Sequence, residues 1–160
     1  MTEVRFYHLQ RNTLEQTLPK LLEKTLERGW RAVVMAGSPD RVEVLNGILW
    51  TNTREGFLPH GSKKDGFPDR QPIWLTEDDE NPNAANVLFL VDGANSDKIA
   101  DFDLCCEMFD GRDDVAVAGA RDHWKLRKDA GFDLTYWQQT DRGAWEKKAE
   151  SCDPETQNSE

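Results

Sequence analysis

Two nearly unbroken apolar runs, RAVVMAG at residues 31–37 and VLFLVDG at 87–93, constrain this chain most. A strand without a polar face must be covered on both sides, as a central parallel strand between two layers of helix is. Further short strands are expected at 4–9 (VRFYHL), 73–76 (IWLT), 103–109 (DLCCEMF) and 132–139 (FDLTYWQQ). Between these runs the apolar spacing turns helical. Leu14, Leu18, Leu21, Leu22 and Leu26 recur at helical intervals within 13–28, with Pro19 marking a first regular turn or a kink and Gly29 a stop. Ser38-Pro39-Asp40 is a helix start: a capping serine, a proline at the first position, then an acid. Val42, Leu45 and Leu49 line one face of that helix up to Trp50. A short helix is expected from Ser96, as cap, to Phe102, with Lys98 and Asp101 facing water. Asp113 and Asp114 open a last helix that runs to Ala130 and stops at Gly131.

Strands alternating with helices in this way specify an α/β fold, a Rossmann-like three-layer sandwich with a mostly parallel central sheet. Residues 1–149 read as a single domain, and the polar, proline-containing stretch ESCDPETQNSE at 150–160 is expected to be a disordered tail. Residues 51–70 form a long connection punctuated by Gly56, Pro59, Gly61, Gly66 and Pro68. Connections of that length inside a compact domain are usually functional or mobile.

The fold class invites a nucleotide-binding reading, but the turn after the first strand, HLQRNTLEQ, has no glycine. A backbone that cradles phosphate needs glycines to approach it and aim its N–H groups, and neither GxGxxG nor GxxxxGK[ST] occurs. MAGSPD after the second strand has one glycine, ordinary for a strand-to-helix turn. The histidines are His8 in a strand, His60 in the long connection and His123 in the last helix, with no G-x-S-x-G or H-E-x-x-H among them. Cys105 and Cys106 are adjacent in a strand and so point to opposite faces, and Cys152 lies in the tail; none has metal-ligand spacing. No catalytic residue, cofactor or metal is therefore expected. The alternative is a small Rossmann-like enzyme or nucleotide-binding protein centred on Asp40, Asp92 and His60.

Charge narrows the partners. A formal net charge of -10 over 160 residues argues against wrapping a phosphate backbone, so any link to DNA is expected to be indirect. No apolar run approaches the roughly 20 residues that span a bilayer, and MTEVRFYHLQ has no basic stretch followed by an apolar one. The chain reads as soluble and cytoplasmic, without a membrane partner.

Two stretches look like binding surfaces. In LWTNTREGFLPHG, Trp50, Phe57, Leu58 and Pro59 keep bulky apolar groups where the backbone is irregular. They either pack over the sheet edge as satellite core or form an apolar docking patch of the kind that dominates protein–protein binding. In ARDHWKLRKDAG, Arg121, Lys125 and Lys128 fall at i, i+4 and i+7, with Trp124 beside them and Arg127 on the neighbouring face. Cations near a helix C-terminus also complement its dipole, which would account for Lys125, Arg127 and Lys128 but not for Arg121 and Trp124. Read as a site, the stripe suits an acidic peptide with an apolar end group.

FYHL in the first strand, RGWRAVVMAGSPDRVEVLNGILW into the second helix, FLPHG in the connection and RDHWKLRKDAGFDLTYW near the end follow one another over residues 4–137. In that order and spacing the chain resembles the chi subunits of bacterial DNA polymerase III holoenzyme, accessory proteins of the clamp-loader assembly. The resemblance implies a Rossmann-like fold without nucleotide chemistry and a bridging role between two partners. One is the psi subunit or another clamp-loader component; the other is the acidic C-terminal tail of single-stranded DNA-binding protein. It places Trp50 and Phe57, flanked by Leu58 and Pro59, at the first interface. It places Arg121, Trp124, Lys125 and Lys128, with Gly131 at the helix end, at the second. Trp124 stands where a tyrosine is usual, and Val117 replaces a lysine one turn before Arg121, leaving the pocket one charge short.

Overall fold

The computed structural model describes residues 2–51 and 59–151. Eight strands among them form one sheet: β1 (Glu3–Leu9), β2 (Ala32–Met35), β3 (His60–Gly61), β4 (Ile73–Thr76), β5 (Val87–Leu90), β6 (Leu104–Asp110), β7 (Asp133–Gln139) and β8 (Trp145–Ser151). Three α-helices cover it: α1 (Leu14–Glu27), α2 (Pro39–Thr51) and α3 (Asp114–Asp129). The spatial order is β3-β4-β2-β5-β6-β1-β7-β8, parallel throughout except for the antiparallel β7–β8 hairpin. The α/β sandwich expected from the apolar runs is the architecture observed.

The sheet is apolar on both faces, and each face has its own cover. Val34, Phe89, Cys106 and Met108 point to the side of α1 and α2, where Leu18, Leu22, Val42, Leu45 and Leu49 meet them. Val33, Leu88, Cys105 and Leu134 point to the other side, under Ala120 and Trp124 of α3. Cys105 and Cys106 thus divide between the two cores, both buried and neither in a disulfide.

Local chemistry sets the helix ends. The Thr13 hydroxyl accepts from the Gln16 N–H (3.2 Å) while the Gln16 carbonyl oxygen accepts from the Thr13 N–H (3.0 Å), a capping box that fixes the start of α1. Pro19 sits buried within α1 without ending it, and Gly29, at φ +78, stops the helix. Ser38 Oγ accepts from the Arg41 N–H at the start of α2. Asp113 caps α3 through the N–H groups of Val115 and Ala116.

Four expectations need correction. The connection 51–70 is not all loop: α2 reaches Thr51, His60–Gly61 pairs as an edge strand with Ile73 and Trp74, and Pro68–Arg70 makes a 3-10 turn. The expected helix at 96–102 is only a 3-10 turn, Ile99–Asp101. Ser96 Oγ donates to Asp79 and accepts from the Lys98 N–H as a cap would, but the turn after it closes only through three-residue bonds, Asp101 N–H to Lys98 O and Phe102 N–H to Ile99 O. FDLTYWQQ is not the last strand, because β8 follows it and runs to Ser151, inside the stretch expected to be tail. Arg127, expected to add charge on the face beside the basic stripe, is buried instead. Phe57, Leu58 and Cys152 lie outside the described residues. Among the described residues no helix is long and apolar enough to cross a membrane.

Candidate binding surfaces and the switch-point crevice

The first crossover leaves β1 towards β2 across one face, and the last leaves β6 towards β7 across the other. Adjacent β1 and β6 therefore flank the topological switch point, the position where doubly wound sheets hold ligands at the carboxyl ends of their strands. A cavity of about 530 Å³ lies there, reaching Leu9, Thr13, Met108 and Asp113. Its charged groups already pair with one another. Arg41 bridges Glu15 (3.0 Å) and Asp92 (2.9 Å), Arg112 holds Asp110 (3.1 Å), and the Asp113 carboxylate caps α3. Burial pushes the Glu15 carboxyl up, but its own backbone N–H and Arg41 together hold it below the usual carboxylate range. The backbone N–H and side chain of Arg112 do the same for Asp110. Phosphate entering this crevice would meet carboxylates in place of the open N–H groups it needs.

At the back of the crevice, Glu107 sits in the middle of β6 with only 4% of its surface exposed. It pairs with His123 Nδ1 and with the guanidinium of Arg127 (3.3 Å), both on α3. A carboxylate inside an apolar strand requires such partners. At about 100° per residue, Arg127 lies about 120° around the helix from Arg121, beside core-facing Ala116, Ala120 and His123. That angle explains why one arginine is core and the other surface. The signal was present in the sequence as an acid flanked by apolar residues on both sides in DLCCEMF.

The outward arc of α3 keeps the other expected residues together. Arg121, Lys125 and Lys128 are exposed, and Trp124 beside them is partly buried. Gly131, at φ +89, ends the helix: its N–H bonds Lys128 O and the Phe132 N–H bonds Arg127 O, the Schellman pattern. Trp124 leans edge-on against Phe6 (5.3 Å between ring centroids) and Tyr136 (6.0 Å). Tyr136 in turn meets His8 (5.8 Å) and Phe109 (5.9 Å). The stripe thus overhangs an aromatic cluster drawn from β1, β6 and β7. His8 and Tyr136 were not singled out from sequence, since nothing local ties residue 8 to residue 136.

The second surface lies at the β3 edge. Trp50, at the end of α2, is 54% exposed and packs edge-on against His60 (5.0 Å), itself buried on β3. A Cβ at Gly61 would fall 2.6 Å from the Gln71 side chain, whose amide donates to Gly66 O (3.2 Å). These contacts lead from Trp50 to Phe67, an aromatic missed in the sequence. Phe67 is 65% exposed at φ +51, a left-handed conformation that bulky residues rarely adopt, with the Arg70 guanidinium 5.6 Å from its ring. Pro59, half-buried, immediately precedes β3. The enzyme alternative gains nothing: Asp92 is tied to Arg41 after β5, and β3 with His60 lies three ladder spacings away, roughly 14 Å.

A "Probable DNA polymerase III subunit chi" of Rickettsia prowazekii (strain Madrid E) is 34% identical over 99 residues, covering 62% of this chain and 60% of that protein's length. Residues 1–135 match the family described as DNA polymerase III chi subunit, HolC, a span that holds the crevice, the β3 edge and all of α3. The chain belongs to the DNA polymerase III chi subunit family.

Proposed function

We propose that this protein is a non-catalytic, cytoplasmic accessory subunit of the DNA polymerase III holoenzyme in DNA replication. In this reading it links a clamp-loader component, the psi subunit or its equivalent, to the acidic C-terminal tail of single-stranded DNA-binding protein. The observation that carries it is the outward arc of α3: Arg121, Lys125 and Lys128 beside Trp124, above an aromatic cluster, in a chain of net charge -10. Cations there suit carboxylates and the rings suit an apolar end group. Trp50 with Pro59 and Phe67, and with Phe57 and Leu58 by resemblance, forms the clamp-loader side. The two surfaces lie on opposite faces of the sheet, with β3 five ladder spacings (roughly 24 Å) from β1, so both partners fit at once.

Titration calorimetry with an acidic peptide ending in phenylalanine tests the α3 surface. Binding weakens with salt, and Arg121→Ala costs about 1.5–3 kcal/mol, as expected for a charge-assisted hydrogen bond. Trp50→Ala leaves that affinity unchanged while abolishing capture of the clamp loader. Unaltered peptide affinity in Arg121→Ala refutes the assignment.

A further inference from the structure

We propose that Tyr136, held by His8, is a second hydrogen-bond donor of the acidic-tail site, placed beside Arg121 to receive the peptide's terminal carboxylate. The inference rests on the tail-binding reading of α3 and adds two residues from β7 and β1 to it.

The hydrogen-bond chain fixes where the protons lie. Gln10 Nε2 stands 3.4 Å from His8 Nε2, and an amide nitrogen only donates, so His8 Nε2 accepts. The imidazole proton then sits on Nδ1 and donates to the Tyr136 hydroxyl oxygen (2.5 Å). A phenol oxygen that accepts from His8 has its own hydrogen left for another acceptor. His8 is also seated firmly. A Cβ at Gly111 would fall 1.9 Å from its Nε2, so only glycine at that turn admits the ring. Phe109 packs against its other side, with centroids 5.1 Å apart.

Arg121 stands one helical turn before Trp124, whose ring meets Tyr136 at 6.0 Å, and its charge acts on both members of the pair. Burial lowers the pKa of His8; Asp110 opposes that, and Arg121 lowers it further, so the imidazole is neutral at pH 7. Burial raises the pKa of Tyr136 while Arg121 pulls it down, so the phenol keeps its proton. The site therefore presents a guanidinium charge, one oriented O–H and the partly exposed ring of Trp124 as a wall, with the buried rings of Phe6 and Phe109 behind it. A carboxylate attached to an aromatic residue fits that combination, whereas a side-chain carboxylate further from an apolar group does not use the wall.

The test measures binding of two acidic peptides ending in phenylalanine, one with a free terminal carboxylate and one amidated, to wild type, Tyr136→Phe, His8→Leu and Arg121→Ala. Wild type is expected to favour the free acid. Tyr136→Phe keeps the ring, so it should lose about tenfold on the free acid and nothing on the amide. His8→Leu should give a smaller loss with the same restriction to the free acid. Equal losses on both peptides would make the pair a shaping element of the pocket and overturn the proposal. So would wild-type affinity in Tyr136→Phe when Arg121→Ala still weakens binding, an outcome that leaves the tail reading intact. Failure of wild type to bind either peptide overturns both.

Discussion

Arg121 and Arg127 occupy the same helix less than two turns apart, yet they belong to different parts of the molecule. Arg127 is 4% exposed and bonded to Glu107 in the core, while Arg121 stands in solvent above an aromatic cluster. Their residue type and helical neighbourhood are alike; the angle around the axis separates them. A charge on the inward arc is bound to its partner by desolvation, because loss of either member strands the other in a low-dielectric interior. A charge on the outward arc costs the fold nothing and is available to a ligand. The apparent basic stripe of the sequence is therefore narrower than its count of cations.

The contrast can be broken most severely from inside. Arg127→Ala leaves Glu107 with His123 alone and should destabilise by about 3–5 kcal/mol, seen as a fall of about 10 °C or more in thermal melting. Replacing Arg127 and Glu107 together by methionine should recover most of that loss; equal destabilisation in the double variant would show that packing, and not the stranded charge, is responsible. An intermediate case lies at the crevice, where Glu15 and Arg41 are paired but about one-third exposed. The depressed Glu15 pKa contributes stability that is present above the ordinary value of 4.5 and is lost as pH falls through the folded value. Glu15→Gln should therefore flatten the acid limb of the stability profile below about pH 4.5, by well under 1 kcal/mol, with no change at pH 7 beyond that amount. The smallest effect belongs to Arg121→Ala, whose melting should stay within about 0.5 kcal/mol of wild type while its peptide binding weakens. A large drop in stability there would mean that Arg121 belongs to the core network and that the two arcs are not distinct.

The same division decides what could be read from the sequence. Both central strands were legible because a run such as VLFLVDG has no polar face to offer water. The β8 strand, WEKKAES, was not, because it lies at a sheet margin where only Trp145 meets the core, against Tyr7 at 4.9 Å. At two residues β3 is too short for any periodicity, and it exists through its register with β4. The exposed members of the α3 stripe were legible from i, i+4 spacing alone. Arg127 was misread because its partner is 20 residues away on another element, and His8 with Tyr136 was missed because 128 residues separate them. Sequence patterns report faces of single elements; groups assembled by the sheet order are visible only once that order is known.

The position of β1 has a further consequence. It lies between β6 and β7, pairing Glu3 with both Leu104 and Asp133. Strand β1 therefore has no lateral partner until β6, at Leu104–Asp110, has been made, and gains its second only with β7, at Asp133–Gln139. Loop closure over that distance makes its docking a late and slow step of folding. The aromatic cluster under Arg121 takes His8 from this strand, Phe109 from its first neighbour and Tyr136 from its second. The pocket beneath the stripe is thus complete only when β7 encloses β1 from its second side, so a chain made only as far as α3 presents the charges of the site without the Tyr136 part of its floor.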